Sequence, residues 1–94
     1  IYVNEDLPVV NLKIRVYGVQ TEYMRMLPLH KSQREGASKY GEFAEFSYRV
    51  CLTPELKSKI LALGSDVEVL EPAEYREEIK KEISASLDRY MKKE

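Results

Sequence analysis

The side chains that could do chemistry in this 94-residue chain are few: one histidine, one cysteine, scattered serines and a small set of cations. His30 has no cysteine or second histidine at ligand spacing, and zinc needs three or four ligands, so no metal site is expected. Its expected work is a hydrogen bond near a helix exit. Cys51 has no histidine nearby in sequence, and nothing in its surroundings would lower its pKa to make a nucleophile. It reads as a small packing residue. Ser32, Ser38, Ser47, Ser84 and Ser86 stand in no G-x-S-x-G or S-x-x-K context. The 4 glycines are dispersed as breakers and caps and form no phosphate loop. No enzymatic activity and no cofactor is therefore expected.

The remaining chemistry is recognition. Lys13, Arg15, Tyr17 and Arg49 are brought together only if two separated segments pair as strands with these residues on a common face. A basic, aromatic sheet face could hold an anionic small molecule, a nucleotide or stacked bases of single-stranded nucleic acid. Against this, the aromatic pattern of RNA-binding sheets is absent, and Glu45 shares the face. Exposed charge on an antiparallel sheet is also ordinary, and the last helix could cover part of that face.

The elements that must position these residues follow from periodicity. In VVNLKIRVY, Val10, Leu12, Ile14 and Val16 point one way and Asn11, Lys13, Arg15 and Tyr17 the other, the period-two mark of a half-buried strand that Gly18 ends. VQTEYMRML places Val19, Tyr23, Met26 and Leu27 at helical spacing, and Pro28 stops that helix. Leu29–Glu35 reads as an irregular edge strand, and GASKYGE as a hairpin loop. FAEFSYRVCL alternates again, with Ala44, Phe46, Tyr48, Val50 and Leu52 on one face. Thr53-Pro54-Glu55 supplies an N-cap, a proline at the first helical position and an acid in the first turn. Leu56, Ile60 and Leu63, helped by Leu61, form that helix's buried stripe, and Gly64 stands at its left-handed C-cap.

Asp66-Val67-Glu68-Val69-Leu70 suffices for a short strand, and Pro72 opens a last helix of about 18 residues, roughly 27 Å long. Tyr75, Ile79, Ile83, Leu87 and Tyr90 recur there at three and four residues. That stripe must be buried, either on its own sheet or against a second subunit, which makes these five residues the candidate interface. The order β-α-β-β-α-β-α, with right-handed crossovers, predicts an α+β, ferredoxin-like βαββαβ fold. Its antiparallel four-stranded sheet has the order 4-1-3-2, with an added C-terminal helix. The two best-alternating strands then fall at the centre.

Composition agrees with a single domain that does not itself grip DNA: net charge is −1 and hydrophobic residues make up 44%. One cysteine fits a reducing cytoplasm, and no apolar run reaches membrane-spanning length. Residues 1–8, IYVNEDLP, have no clear element and read as residual linker from an upstream domain. Residues 9–92 form the domain itself.

Several stretches together resemble one family. They are Pro28-Leu29-His30-x-Ser32-Gln33, Thr53-Pro54-Glu55-Leu56, Leu63-Gly64-x-Asp66-Val67-Glu68-Val69-Leu70-Glu71-Pro72, and Tyr75-Arg76-Glu77-Glu78-Ile79 running on to Tyr90. In this order and spacing they resemble the C-terminal extension, or WCX domain, of bacterial WYL-domain transcriptional regulators. Many relatives carry leucine where this chain has Tyr75, which affects packing. The resemblance implies a bacterial protein with an upstream DNA-binding winged helix-turn-helix and a ligand-sensing WYL domain. DNA would be contacted only through the missing N-terminal part. It further implies that this extension is an accessory regulatory and dimerisation module, with His30, Ser32 and Gln33 as motif contacts. The expected partners are therefore a second copy and the upstream domains, with a nucleotide or single-stranded nucleic acid as the alternative. The edge strands Leu29–Glu35 and Asp66–Glu71 are expected to be open to strand addition.

Overall fold

Alternation fixes two long strands, and their pairing fixes the rest. The computed structural model describes residues 7–92. Of the linker assigned to residues 1–8, the first six lie outside the described residues. Strand β1 (Val9–Tyr17) and strand β3 (Phe43–Cys51) run antiparallel in unbroken register from Val9↔Cys51 to Tyr17↔Phe43. Strand β2 (Arg34–Lys39) borders β3, and strand β4 (Val67–Glu71) borders β1, giving the order β2-β3-β1-β4. This is the expected 4-1-3-2 order of a ferredoxin-like α+β sheet. Helix α1 (Gln20–Met26) joins β1 to β2, helix α2 (Pro54–Ala62) joins β3 to β4, and helix α3 (Ala73–Met91) follows.

The inward faces of the central strands make the core. Leu12, Ile14 and Val16 of β1 and Ala44, Phe46, Tyr48 and Val50 of β3 are buried, joined by Val69, Leu56, Ile60, Met24, Tyr75 and Ile79. Each large apolar side chain so buried contributes about 1.5–3 kcal/mol. Helix α2 starts as its residues dictate. Thr53 Oγ1 accepts the Leu56 amide at 3.1 Å, with Pro54 in the first turn. It ends at Gly64, whose φ of 68° is the left-handed value that glycine adopts without strain.

Three expectations are corrected. The first helix does not bury Val19, Tyr23, Met26 and Leu27, which are exposed; Thr21 and Met24 face inward instead. The buried threonine is tolerated because its hydroxyl donates to the Gly18 carbonyl at 2.9 Å. The edge strand lies at Arg34–Lys39, within the segment read as mostly loop. Leu29–Gln33 instead turns, with the Gln33 amide on the His30 carbonyl, and the hairpin turn shrinks to Tyr40–Glu42. Finally, Gly64–Asp66 is a 3₁₀ turn, so β4 begins at Val67, and Pro72 caps α3 from outside with Ala73 as its first residue.

Helix α3 departs from its own body. Tyr75 and Ile79 are buried, but from Lys80 onward every described residue of the chain is exposed, Ile83 at 52%, Leu87 at 57% and Tyr90 at 86%. The apolar stripe is continuous along the helix, and the chain itself covers only the first two turns.

Candidate functional site

The outward sheet face does gather Lys13, Arg15 and Tyr17 on β1, with Arg49 across from Asn11 on β3. Part of the face is already internally paired. Arg15 Nε and Nη2 both reach Glu45 Oε2, at 3.1 and 2.6 Å, and the guanidinium lies 4.6 Å from the Phe43 ring centroid, within cation–π range. The Glu45 carboxylate, aided by the Tyr17 hydroxyl, holds the Arg15 pKa above its ordinary value. Tyr17 donates to Glu68 Oε1 at 2.7 Å, and Arg76 of α3 reaches Glu68 Oε2 at 2.8 Å. These two donors, Tyr17 first, keep the Glu68 carboxyl below the usual carboxylate range. Arg49 donates to Asn11 Oδ1 at 3.2 Å. Among the described residues Lys13 and Arg49 enter none of the ion pairs.

Sequence reasoning missed Phe43, Glu68 and Arg76 on this face. Glu68 was legible from β4's own alternation, Val67 and Val69 facing in. Arg76 was not. Its reach depends on α3 starting two residues after β4, which lets one guanidinium touch Glu68 and also donate to the Val69 carbonyl at 2.8 Å.

His30, Ser32 and Gln33 come together, and their hydrogen bonds run to neighbouring protein groups. The Ser32 amide donates to His30 Nδ1 at 3.0 Å, so in neutral imidazole the proton sits on Nε2. Ser32 Oγ accepts the Arg49 amide at 3.0 Å and lies 3.4 Å from the Arg49 carbonyl. A side chain thus supplies the ladder contacts that a longer β2 would have made. Gln33 bridges three groups: its Nε2 donates to the Met24 carbonyl at 3.0 Å, and its Oε1 accepts from Tyr48 at 2.6 Å and from the Leu29 amide at 3.2 Å. Burial pushes the Tyr48 hydroxyl pKa up strongly, and Gln33 gives that buried group its partner. His30 and Cys51 line one small cavity of about 300 Å³ with Leu29 and Lys59, while Cys51 Sγ contacts the Leu7 carbonyl at 3.5 Å. Among the described residues no three histidine, cysteine or acidic side chains gather as a metal-holding group.

The third location is the groove where α3 leaves the body. About 650 Å³ in volume, it is walled by Ile60 and Leu61 of α2, Val67 and Val69 of β4, and Ile79 and Ile83 of α3. Lys57 of α2 braces its far side, its Nζ reaching Glu78 at 2.9 Å and Glu82 at 3.0 Å. Those carboxylates raise the Lys57 pKa, Glu78 first. The five residues singled out as an interface therefore divide. Tyr75 and Ile79 belong to the core; Ile83, Leu87 and Tyr90 continue the groove's apolar wall into solvent.

This combination is a closed core, a sheet face on which Arg15 and Arg76 are paired while Lys13 and Arg49 are not, and an unfinished apolar helix. Among the described residues no helix is long and apolar enough to cross a membrane. No curated protein matches the chain. The WCX domain family matches residues 8–87, from the approach to β1 to within four residues of the end of α3. The chain belongs to the WCX domain family.

Proposed function

We propose that this domain is a non-enzymatic regulatory module at the C-terminal end of a WYL-type DNA-binding transcriptional regulator, acting by self-association in the cytoplasm. The observation that carries the reading is the split stripe of α3, buried at Tyr75 and Ile79 and exposed at Ile83, Leu87 and Tyr90. A contiguous apolar surface of this kind is an association site. The near-neutral charge of −1 supports leaving DNA contact to an upstream helix-turn-helix, with effector sensing shared with an upstream WYL domain. Sedimentation velocity from low to high micromolar concentration tests the reading: a concentration-dependent dimer is expected, and a strict monomer throughout defeats it.

A second reading keeps the sheet face as a site for an anionic effector, a nucleotide or single-stranded nucleic acid. It is favoured by Lys13 and Arg49, which carry charge on that face without an ion pair among the described residues. Arg15 is a poor contact because Glu45 and Phe43 already hold it. Reversing the charge at Lys13 and Arg49 together should abolish any nucleotide or oligonucleotide binding; binding left unchanged removes this reading.

A further inference from the structure

We infer that the outward sheet face holds a phosphomonoester, its phosphate seated above Ser47 among Lys13, Arg34 and Arg49. The inference rests on the second reading above, the sheet face as an anion site, and names both the seat and the ligand class. Strand register brings these residues together. Lys13 of β1 and Arg34 of β2 are both paired with Ser47 of β3, one from each side, so the three stand in a single row across the sheet. The neighbouring row holds Asn11 and Arg49. Residues directly paired across antiparallel strands share a face. The placement of Arg34 has a separate check. The next residue, Glu35, is paired with buried Phe46 and reaches Arg25 of α1, so it points to the helix side and Arg34 to the open side.

The row has room for an anion. Neighbouring strands lie about 4.8 Å apart, so Lys13 and Arg34 stand roughly 10 Å apart with Ser47 between them. Both carry long side chains and Ser47 a short one, which leaves a hollow over which an ammonium and a guanidinium can converge. Arg49, about 7 Å along β3 from Ser47, closes a third side. Its guanidinium is steadied by Asn11 Oδ1 at 3.2 Å, and its backbone amide is held by Ser32 Oγ at 3.0 Å.

Charge sets the ligand class. Among the described residues Lys13, Arg34 and Arg49 enter no ion pair. The carboxylates beside these rows are Glu45, which Arg15 holds, and Glu71, which is paired with Lys13 across β4 and enters no ion pair either. Three cations against one unpaired carboxylate leave an excess of two positive charges, which matches a phosphomonoester dianion with its three acceptor oxygens. The bases of a nucleic-acid strand need a stacking surface. Tyr17 and Phe43, the aromatic residues of this face, lie at the other end of the strands and are taken up by Glu68 and Arg15.

Titration of the 94-residue chain with glycerol phosphate, followed by backbone amide NMR shifts, tests the seat. Saturable shifts are expected at Lys13, Arg34, Ser47 and Arg49, with inorganic phosphate competing for them. Arg34→Gln should weaken binding about tenfold, and Ser47→Asp, which puts a carboxylate in the hollow, about a hundredfold. Thermal melts followed by circular dichroism confirm that each variant folds. Lys39→Gln removes a cation from the same strand at its far end, beside Phe43, and should leave binding unchanged. A loss in Lys39→Gln equal to that in Arg34→Gln would mean a diffuse surface field and overturns the seat. Binding indifferent to Arg34→Gln and Ser47→Asp, yet lost on reversing Lys13 and Arg49, also overturns the seat and leaves the second reading standing. A single-stranded oligonucleotide without terminal phosphates that binds at these residues while glycerol phosphate does not overturns the ligand class. No saturable shift with any of the three probes overturns both the inference and the reading beneath it.

Discussion

Gln33 joins the exit of α1 to the central strand β3 by a single amide group, so three polar groups depend on it at once. Removing its side chain leaves the buried Tyr48 hydroxyl, the Leu29 amide and the Met24 carbonyl without their partner. Gln33→Ala should therefore cost about 2–3 kcal/mol, read as a lowered urea midpoint at constant slope. Pairing Gln33→Ala with Tyr48→Phe should recover part of that loss, because the double variant no longer strands the phenol. Strictly additive losses would show that the contact carries no energy. Tyr75 presents the opposite case. It is 4% exposed, and its hydroxyl is buried without a hydrogen-bond partner among the described residues. Burial raises its pKa, the sign of a polar group held in apolar surroundings. Tyr75→Phe keeps the ring and removes the orphan, so it should stabilise the domain by about 1 kcal/mol, a gain of roughly 4–8 °C in Tm. A loss of stability on that change would mean that the hydroxyl has a partner after all.

At the scale of elements, ion pairs join pieces that are distant in sequence, and their pKa shifts set a pH window. Glu68 ties β4 to β1 and α3, and Glu35 ties β2 to Arg25 of α1. Both carboxyls titrate below the ordinary 4.5 in the folded state, Glu68 through Tyr17 and Arg76, Glu35 through Arg25. A depressed folded value means that the stabilisation is present above the unfolded value and is lost as pH falls through the folded one. Tyr17, raised above 10.0 first by its bond to Glu68, and Lys57, raised above 10.5 by Glu78 and Glu82, act in the other direction. Their contribution is full below those unfolded values and fades as pH climbs through the folded ones. Unfolding midpoints should thus hold a plateau from about pH 5 to pH 9 and fall on both sides, and Glu68→Gln should flatten the acid limb. An acid limb of unchanged steepness in that variant would remove Glu68 from the account.

The same elements show what could be read in advance. The central strands were legible because one face of each is buried, and a period of two records this directly at Leu12, Ile14, Phe46 and Tyr48. The cap at Thr53 and the stop at Gly64 were legible because each depends on local backbone chemistry. Helix α1 was legible as a helix but its inward face was not, because two turns give a pattern only a few residues long, and a satisfied threonine can take an inward place from a valine or tyrosine. Strand β2 was hidden because all six of its residues are exposed, so no apolar alternation marks it. The candidate face was found as a set of cations, but its pairing was not. Which carboxylate reaches Arg15, and that Arg76 arrives from α3, depends on register and helix direction, which spacing alone does not encode.

For the whole molecule, the decisive feature is that the chain finishes its core before it finishes its last helix. Helix α3 has 19 residues, and its buried anchors, Tyr75 and Ile79, lie in the first seven. Beyond Glu82, the last residue braced by Lys57, the helix is held only by its own backbone bonds and by nucleation from the anchored end. Short helical stretches without tertiary packing are marginal in water, so in a monomer the final turns should open far more readily than the first. A partner helix laid over Ile83, Leu87 and Tyr90 would supply the missing burial and close that difference. Amide hydrogen exchange at Leu87–Met91 should therefore slow with rising protein concentration, while exchange at Leu12, Ile14 and Phe46 stays constant. A Leu87→Glu variant should show fast terminal exchange at every concentration. Protection at Leu87–Met91 that is high and independent of concentration would mean that the distal helix needs no partner, and the exposed stripe would then lose its claim to be the surface through which this domain acts.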